Sequence, residues 1–444
     1  MVSSDFVGHD AGHSRRTFTG MRDAHQASTP RRSGMHPRLE EVLTMKSAFA
    51  FLPAWPFTAD IALWVGLTLV AAGLCGELCW RAWRVPRLIG YGVIGLVAGP
   101  AGLGLIDSAL AEDARLLMDI AIGLLLFELG SRVSLRWIRM NPWLVAMSVC
   151  ESALTFIAVW FALHLLHVSA MTSSVAASIA MATSPAMVIQ LRAELKSQGQ
   201  VTERLMTLSA LNSMYAVVVL KLLSGWLHQE FYGNVWATII QPPFFIIGSL
   251  LLAWLLAASC NFFFRRVSIA DEHSFVTLFG LILLAIAIAH MLKLSTIMAL
   301  LAAGIIFKNL DPRPLLWPTH FGTAGWLLTV VLFGVTLLSF EWKYIPLGGL
   351  AALALIGARF VAKLAGSLIF ARPSGLDWKQ SAALGVSLSP MSALAFLLVS
   401  DTYTLYPNFD PALRAIVMCS IAVLQLIAPV IVYRALAAVN ERGL

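Results

Sequence analysis

Two stretches decide the fold: Ala180-Met181-Ala182-Thr183-Ser184-Pro185-Ala186-Met187 and Ser387-Leu388-Ser389-Pro390-Met391-Ser392-Ala393. Each lies in the middle of a long apolar run. A proline there removes one backbone donor and frees a carbonyl, and hydrocarbon solvates neither. Both stretches carry hydroxyls that can rebond the freed groups: Thr183 and Ser184 beside Pro185, and Ser389 and Ser392 beside Pro390. The two runs are seven apolar spans apart, so they cross a membrane in opposite directions. Paired broken helices in inverted orientation are the architecture of a midplane ion site. The expected fold is an all-α polytopic membrane protein, with inverted repeats and two broken helices crossing at the midplane.

The surrounding sequence agrees with a bilayer as solvent. Hydrophobic residues make up 59% of the chain and charged residues 12%, where a soluble domain carries about 25% charged. Apolar runs of roughly 20 residues recur, as helical spans require, and the dyad alternation of a membrane barrel does not occur. The formal charge of +7 is spread over short connections and does not gather on one face, which argues against a nucleic-acid partner. Cys75, Cys79, Cys150, Cys260 and Cys419 all lie in apolar runs without a CxxC pair, and read as small packing residues. No Walker motif, zinc signature or nucleophile elbow is present, so neither a cofactor nor an enzymatic activity is expected.

Thirteen spans can be marked, at about 58–79, 87–106, 114–131, 143–165, 171–191, 204–227, 241–263, 274–291, 294–308, 319–340, 346–369, 380–400 and 412–435. Their connections alternate in charge. One side carries 17 basic residues: Arg81, Arg84, Arg87, Arg132, Arg136, Arg139, Arg192, Lys196, Arg204, Arg265, Arg266, Lys308, Arg313, Arg372, Lys379, Arg434 and Arg442. The other carries 4: Arg115, Lys293, Lys343 and Arg414. The positive-inside rule then places the C-terminus in the cytoplasm, most naturally of a bacterial inner membrane. Residues 1–55 are polar and basic, and lack the apolar stretch of a signal peptide. They read as a disordered tail or an upstream extension, with Met21, Met35 and Met45 as alternative starts. His9 and His13 there are weak metal candidates.

Ionisable groups inside spans are costly and mark function by default. Glu77, Glu128, Glu341 and Lys221 lie toward span ends, from which long side chains can reach polar surroundings. Glu151 in the fourth span, and Arg359 and Lys363 one turn apart in the eleventh, lie deeper. A glycine-dense run, Leu88 to Pro100, holds the small-xxx-small pair Gly95 and Gly99, which suits close helix packing.

With Gly90-Tyr91 through Gly99-Pro100 after Pro86, the chain resembles the monovalent cation–proton antiporter superfamily. The likeness is to its sodium/hydrogen exchanger family, in the Kef-type branch without the nucleotide-binding domain. Leu124-Leu125-Leu126-Phe127-Glu128-Leu129-Gly130 is similar to the family's third-span motif. Thr183-Ser184-Pro185 resembles its first broken helix and Gly385 to Pro390 the second, with Met391 and Ser392 where arginine and glycine are usual. The resemblance covers about residues 60–435. It implies a transmembrane domain over 56–444, with core helices at about 143–227 and 346–435. These move against scaffold helices at about 58–131 and 241–340, through which two copies dimerise. One departure stands out. The family's sixth span usually carries Asn-Asp or Asp-Asp at the ion site, and the best match here is Asn212-Ser213. The family's basic residue of the eleventh span matches Arg359 first and Lys363 second.

These readings converge on exchange of a monovalent cation, sodium or potassium, for protons. Glu151 is the candidate carboxylate for which the two compete, with Arg359 needing a counter-charge that Glu151 would supply. Asn212, Ser213, Thr183 and Ser184 are candidate oxygen ligands, and no bound metal is expected beyond the transported ion. The alternatives are a transporter of another solute that keeps the fold without cation coupling, and a membrane sensor or scaffold that transports nothing.

Overall fold

A computed structural model describes residues 61–106, 115–233, 235–266, 272–310 and 319–443. The tail 1–55, with His9, His13 and the alternative starts, lies outside the described residues, as does Arg313. The described residues form sixteen α-helices and no strand. They are α1 (Ile61–Trp83), α2 (Arg87–Ala98), α3 (Arg115–Ser131), α4 (Leu135–Met140), α5 (Pro142–Leu165), α6 (Ala170–Met181), α7 (Pro185–Leu195) and α8 (Gln200–Tyr232). After them come α9 (Val235–Phe264), α10 (Glu272–Met291), α11 (Thr296–Leu310), α12 (Thr319–Leu338), α13 (Tyr344–Ile369), α14 (Trp378–Ser387), α15 (Ala393–Leu405) and α16 (Pro411–Ala438). Seven helical stretches among the described residues are long and apolar enough to cross a membrane, and five shorter helices are apolar as well.

Local signals set the helix ends. Pro142 and Pro411 occupy first-turn positions, where the missing donor costs nothing. Ser169 accepts from the Thr172 amide at 3.1 Å and Asp410 from the Ala412 amide at 2.9 Å, capping α6 and α16. The chain leaves helical geometry over 182–184 and again over 389–392, next to Pro185 and Pro390. Proline alone does not cause this. Pro242 and Pro243 sit inside α9 and Pro429 inside α16, and those helices continue through them.

Burial separates the helices by task. The α6–α7 stretch is 94% buried over its most apolar window, whereas α1 is only 17% buried. Leu63, Leu67, Val70 and Leu74 of α1 are exposed, as lipid-facing residues are. The broken helices instead sit inside protein, where irregular backbone is tolerated. Around them α13 packs chiefly on α5 and α16. Separately, α3 packs on α11, α11 on α9, and α2 on α1 and α12. At the α2–α12 crossing, a Cβ on Gly95 would press on the backbone of Gly334, and one on Gly99 on that of Leu338. The glycine spacing thus serves close helix approach, as its pattern predicts.

Polar ties hold one end of the bundle together. The Arg87 guanidinium reaches Glu77 at 2.9 Å and Glu194 at 3.2 Å, joining the start of α2 to the end of α7. Glu441, beyond α16, accepts from the Val201 and Thr202 amides at 2.8 and 2.7 Å and from the Thr202 hydroxyl at 2.8 Å. A carboxylate from the chain's last residues thereby caps the first turn of α8.

Candidate ion-coupling site

The two backbone breaks meet: the Ser184 amide donates to the Pro390 carbonyl at 3.0 Å. Their crossing brings like helix ends together. The C-terminal ends of α6 and α14 lie on one side, with carbonyls that no helical amide satisfies. The N-terminal ends of α7 and α15 lie on the other, where the hydroxyls of Ser184 and Ser392 bond to one another.

Arg359 of α13 fills the carbonyl side. Its guanidinium donates to Ala180 at 2.8 Å, Ala182 at 2.8 Å, Leu388 at 3.2 Å, Pro390 at 3.1 Å, and also to the Ser389 carbonyl. The partial negative charge of two helix C-termini and the freed carbonyls compensates the buried cation. This corrects the expectation that Glu151 supplies Arg359's counter-charge, since Arg359 forms no ion pair with a carboxylate among the described residues. A five-donor planar fork suits several carbonyls at once, and the helix breaks provide them.

Glu151 pairs instead with Lys363, one turn further along α13. The Lys363 ammonium donates to Glu151 Oε2 at 3.0 Å and to the Met181 carbonyl at 3.1 Å, and both charged side chains are fully buried. Close approach of α5 and α13 makes this reach possible. Gly366 lies against Glu151's backbone, where any Cβ would collide with Glu151 Cα and Cβ.

The Asn212 side-chain amide donates to Glu151 and, at 3.4 Å, faces the Thr183 hydroxyl. Asn212 Oδ1 accepts from Ser152 at 3.1 Å and Ser148 at 3.5 Å, which sets which end of the amide faces the carboxylate. Thr183 Oγ1 donates across the crossing to the Leu388 carbonyl at 3.2 Å. Ser213 turns aside: its hydroxyl donates to the carbonyls of Ser209 at 2.7 Å and Thr183 at 3.2 Å. Ser389 bonds the Val386 carbonyl of its own helix end at 2.7 Å.

The structure thus brings Glu151, Asn212, Thr183 and Lys363 into one cluster, with Arg359, Ser213, Ser184, Pro185, Ser389 and Pro390 packed around it. Lys221 is elsewhere, over the Phe245 ring at 5.0 Å. The sequence reading singled out neither Ser148 nor Ser152. Ser148, Glu151, Ser152 and Thr155 form a polar stripe at helical spacing on an otherwise apolar helix, and that stripe was the available signal.

A cavity of about 600 Å³ approaches this cluster from one end of the bundle, bordered by Arg132, Trp137, Asn141, Arg204 and Thr207. Thr207 is one and a half turns before Asn212 on α8, roughly 7.5 Å along the axis. At the opposite end Arg115 of α3 bonds Asp401 of α15 at 2.6 Å and Thr404 at 2.8 Å.

The fold and the sequence place the molecule among the transporters built on broken-helix crossings. Residues 66–437 match the transmembrane sodium/hydrogen exchanger family, and the chain belongs to that family, within the monovalent cation–proton antiporter superfamily. The iron transporter MagA of Paramagnetospirillum magneticum is 22% identical over 345 residues, spanning 76% of this chain and 76% of MagA. The sodium proton antiporter MjNhaP1 of Methanocaldococcus jannaschii, seen by electron microscopy, superposes with a TM-score of 0.69 at 17% identity, covering 86% of this chain and 98% of that one. Its structure at pH 8 superposes with a TM-score of 0.60 at 16% identity, covering 85% and 94%. At these identities the likeness is one of fold.

Proposed function

We propose that the chain exchanges a monovalent cation, sodium or potassium, for protons. The observation that carries this reading is the fully buried Glu151–Lys363 pair, held by Asn212 where the two broken helices cross. Antiport needs one site that holds either a proton or a cation. Here the occupied-by-proton form is the ammonium of Lys363 on Glu151. An entering cation would take the ammonium's place, because one buried carboxylate cannot compensate two positive charges. Lys363 then releases its proton, and regains one when the cation leaves. Thr183 and Ser152 offer neutral oxygens in the same cluster, and Asn212 would add its Oδ1 on turning its amide over; these are the donors that hard cations prefer. Arg359 plays no part in the exchange; it keeps the crossing assembled. The α5–α8 and α13–α16 helices act as the moving core. The α1–α3 and α9–α12 helices form the scaffold, through which two copies associate in a bacterial inner membrane with the C-terminus inside.

MagA's iron points to the rival reading, a transporter of another solute on the same fold. The oxygen-only donor set around Glu151 favours the alkali cation over a softer metal. Purified protein in vesicles decides between them. Sodium or potassium pulses should evoke a pH change that Glu151→Gln abolishes while the protein still inserts. Full activity of Glu151→Gln would overturn the role of that carboxylate, and solute-evoked flux without any cation response would establish the rival.

A further inference from the structure

The proposed exchange uses nothing at the end of the bundle opposite the 600 Å³ cavity, yet that end holds a buried carboxylate. Asp119 of α3 has a side chain only 8% exposed, and His290 Nε2 of α10 lies 3.0 Å from its Oδ2, with the imidazole 44% exposed. Oδ2 is buried and receives no well-directed hydrogen bond among the described residues. The charged groups around it are His290, Arg115 one turn back on α3, and Asp401 from α15; Arg115 is already committed to Asp401 at 2.6 Å. A buried carboxylate oxygen that lacks a well-directed donor is costly unless it takes a proton or a closer partner.

Its position gives that proton somewhere to go. Ile122 is three residues on, on the same face of α3. With Leu126 and Leu394 it borders a void of about 10 Å³ that reaches Ser184 at the helix crossing. That is the lower limit for one water, so the passage is narrow in this conformation. The void is lined by apolar side chains except at Ser184 and does not itself reach Asp119, so a water path from Asp119 to the break that holds Thr183 opens only when the core moves.

We propose that Asp119 and His290 form a second proton-binding site, which relays protons between the face carrying His290 and the Glu151–Lys363 centre. The ligand is a proton rather than a cation. One carboxylate and one imidazole offer too few oxygens to replace a cation's hydration, whereas each can hold a single proton. In the relay, exposed His290 takes a proton from water on Nδ1 and gives the one on Nε2 to Asp119 Oδ2. Asp119 passes it to water entering the widened passage beside Ser184 when the core moves. Charge and protons balance at each transfer.

The flux part of the test rests on the antiport reading, so a second measurement stands apart from it. In vesicles of known orientation, with pH varied only on the His290 side, Asp119→Asn should lower the initial slope of flux against proton concentration by about a hundredfold. The cation dependence on the cavity side should stay unchanged, Asp119→Glu should restore the slope, and His290→Gln should give an intermediate loss. An Asp119→Asn variant with the wild-type slope overturns the relay. Infrared difference spectra of the purified protein across a pH step test the site without transport. A protonated-carboxyl band lost in Asp119→Asn but kept in Glu151→Gln assigns a proton to Asp119. A band set unchanged by Asp119→Asn overturns the site, even if Glu151 proves to be the coupling group.

Discussion

Lys363 and Glu151 are joined by a 3.0 Å ion pair with no exposure of either side chain, while Arg359, one turn away on the same helix, is held wholly by backbone carbonyls. The two cations of α13 therefore have different work. In the proposed exchange one is displaced, because its partner is a titratable side chain, and the other stays in place, because its partners are the helix breaks themselves.

This division predicts a double-mutant result. Lys363→Met leaves Glu151 buried and unpaired and should cost about 3–5 kcal/mol of stability. Glu151→Gln combined with Lys363→Met removes both charges and should recover about 0.5–3 kcal/mol of that loss. Thermal melts in detergent measure the cycle; strictly additive effects would show that the pair is not coupled.

Arg359→Lys keeps the charge but loses the planar fork, so most of the five carbonyls go unsatisfied. A loss of about 3 kcal/mol or more is expected, from hydrogen bonds to a charged group worth roughly 1.5–3 kcal/mol each. Hydrogen exchange of the amides around 182–184 and 389–392 should quicken, since those breaks depend on the guanidinium. Unaltered melting and exchange in Arg359→Lys would contradict the structural role.

Gly366→Ala places a methyl group against the Cα and Cβ of Glu151. The α5–α13 crossing must open, at a cost of about 1–3 kcal/mol for overpacking. The Glu151–Lys363 contact should lengthen and cation-evoked flux should fall with it. Gly357→Ala, on the same helix with open space at its Cβ, is the control and should leave both stability and flux near wild type.

Glu441→Ala removes the carboxylate that accepts two amides and a hydroxyl at the start of α8. A loss of about 1–2 kcal/mol is expected, as for other helix caps. The flux per folded molecule should change little, because Glu441 bonds Thr202 in the first turn of α8, roughly 15 Å along the helix axis from Asn212. A melt identical to wild type would show that the cap contributes nothing.

Ser213→Asp tests the family's usual residue in this setting. The Ser213 hydroxyl donates to two carbonyls, and an ionised aspartate has no proton to give them. In the wild-type background it should destabilise by about 1–3 kcal/mol. In the Glu151→Gln background it restores a titratable group one residue from Asn212, and partial recovery of cation-evoked flux is expected.

Much of this was legible from residue order. Apolar runs of span length dictate helices because the bilayer offers backbone groups no other partner. Pro185 and Pro390, flanked by hydroxyls, marked the breaks, and the scarcity of charge inside the spans drew attention to Glu151, Arg359 and Lys363. The glycine spacing at Gly95 and Gly99 predicted a close crossing that the backbone of Gly334 and Leu338 fills. What the residue order left open was pairing. Arg359 and Lys363 are one turn apart and equivalent in pattern, and only the placement of Gly366 on Glu151 and of the α6 and α14 ends on Arg359 assigns a partner to each. Backbone carbonyls also leave no trace in a sequence, so a cation solvated by them looks like one that lacks a counter-charge. Which spans break was set by local chemistry; which charge meets which was set by the approach of helices distant in the chain, because an ion pair depends on side-chain reach across a crossing and not on distance along the sequence.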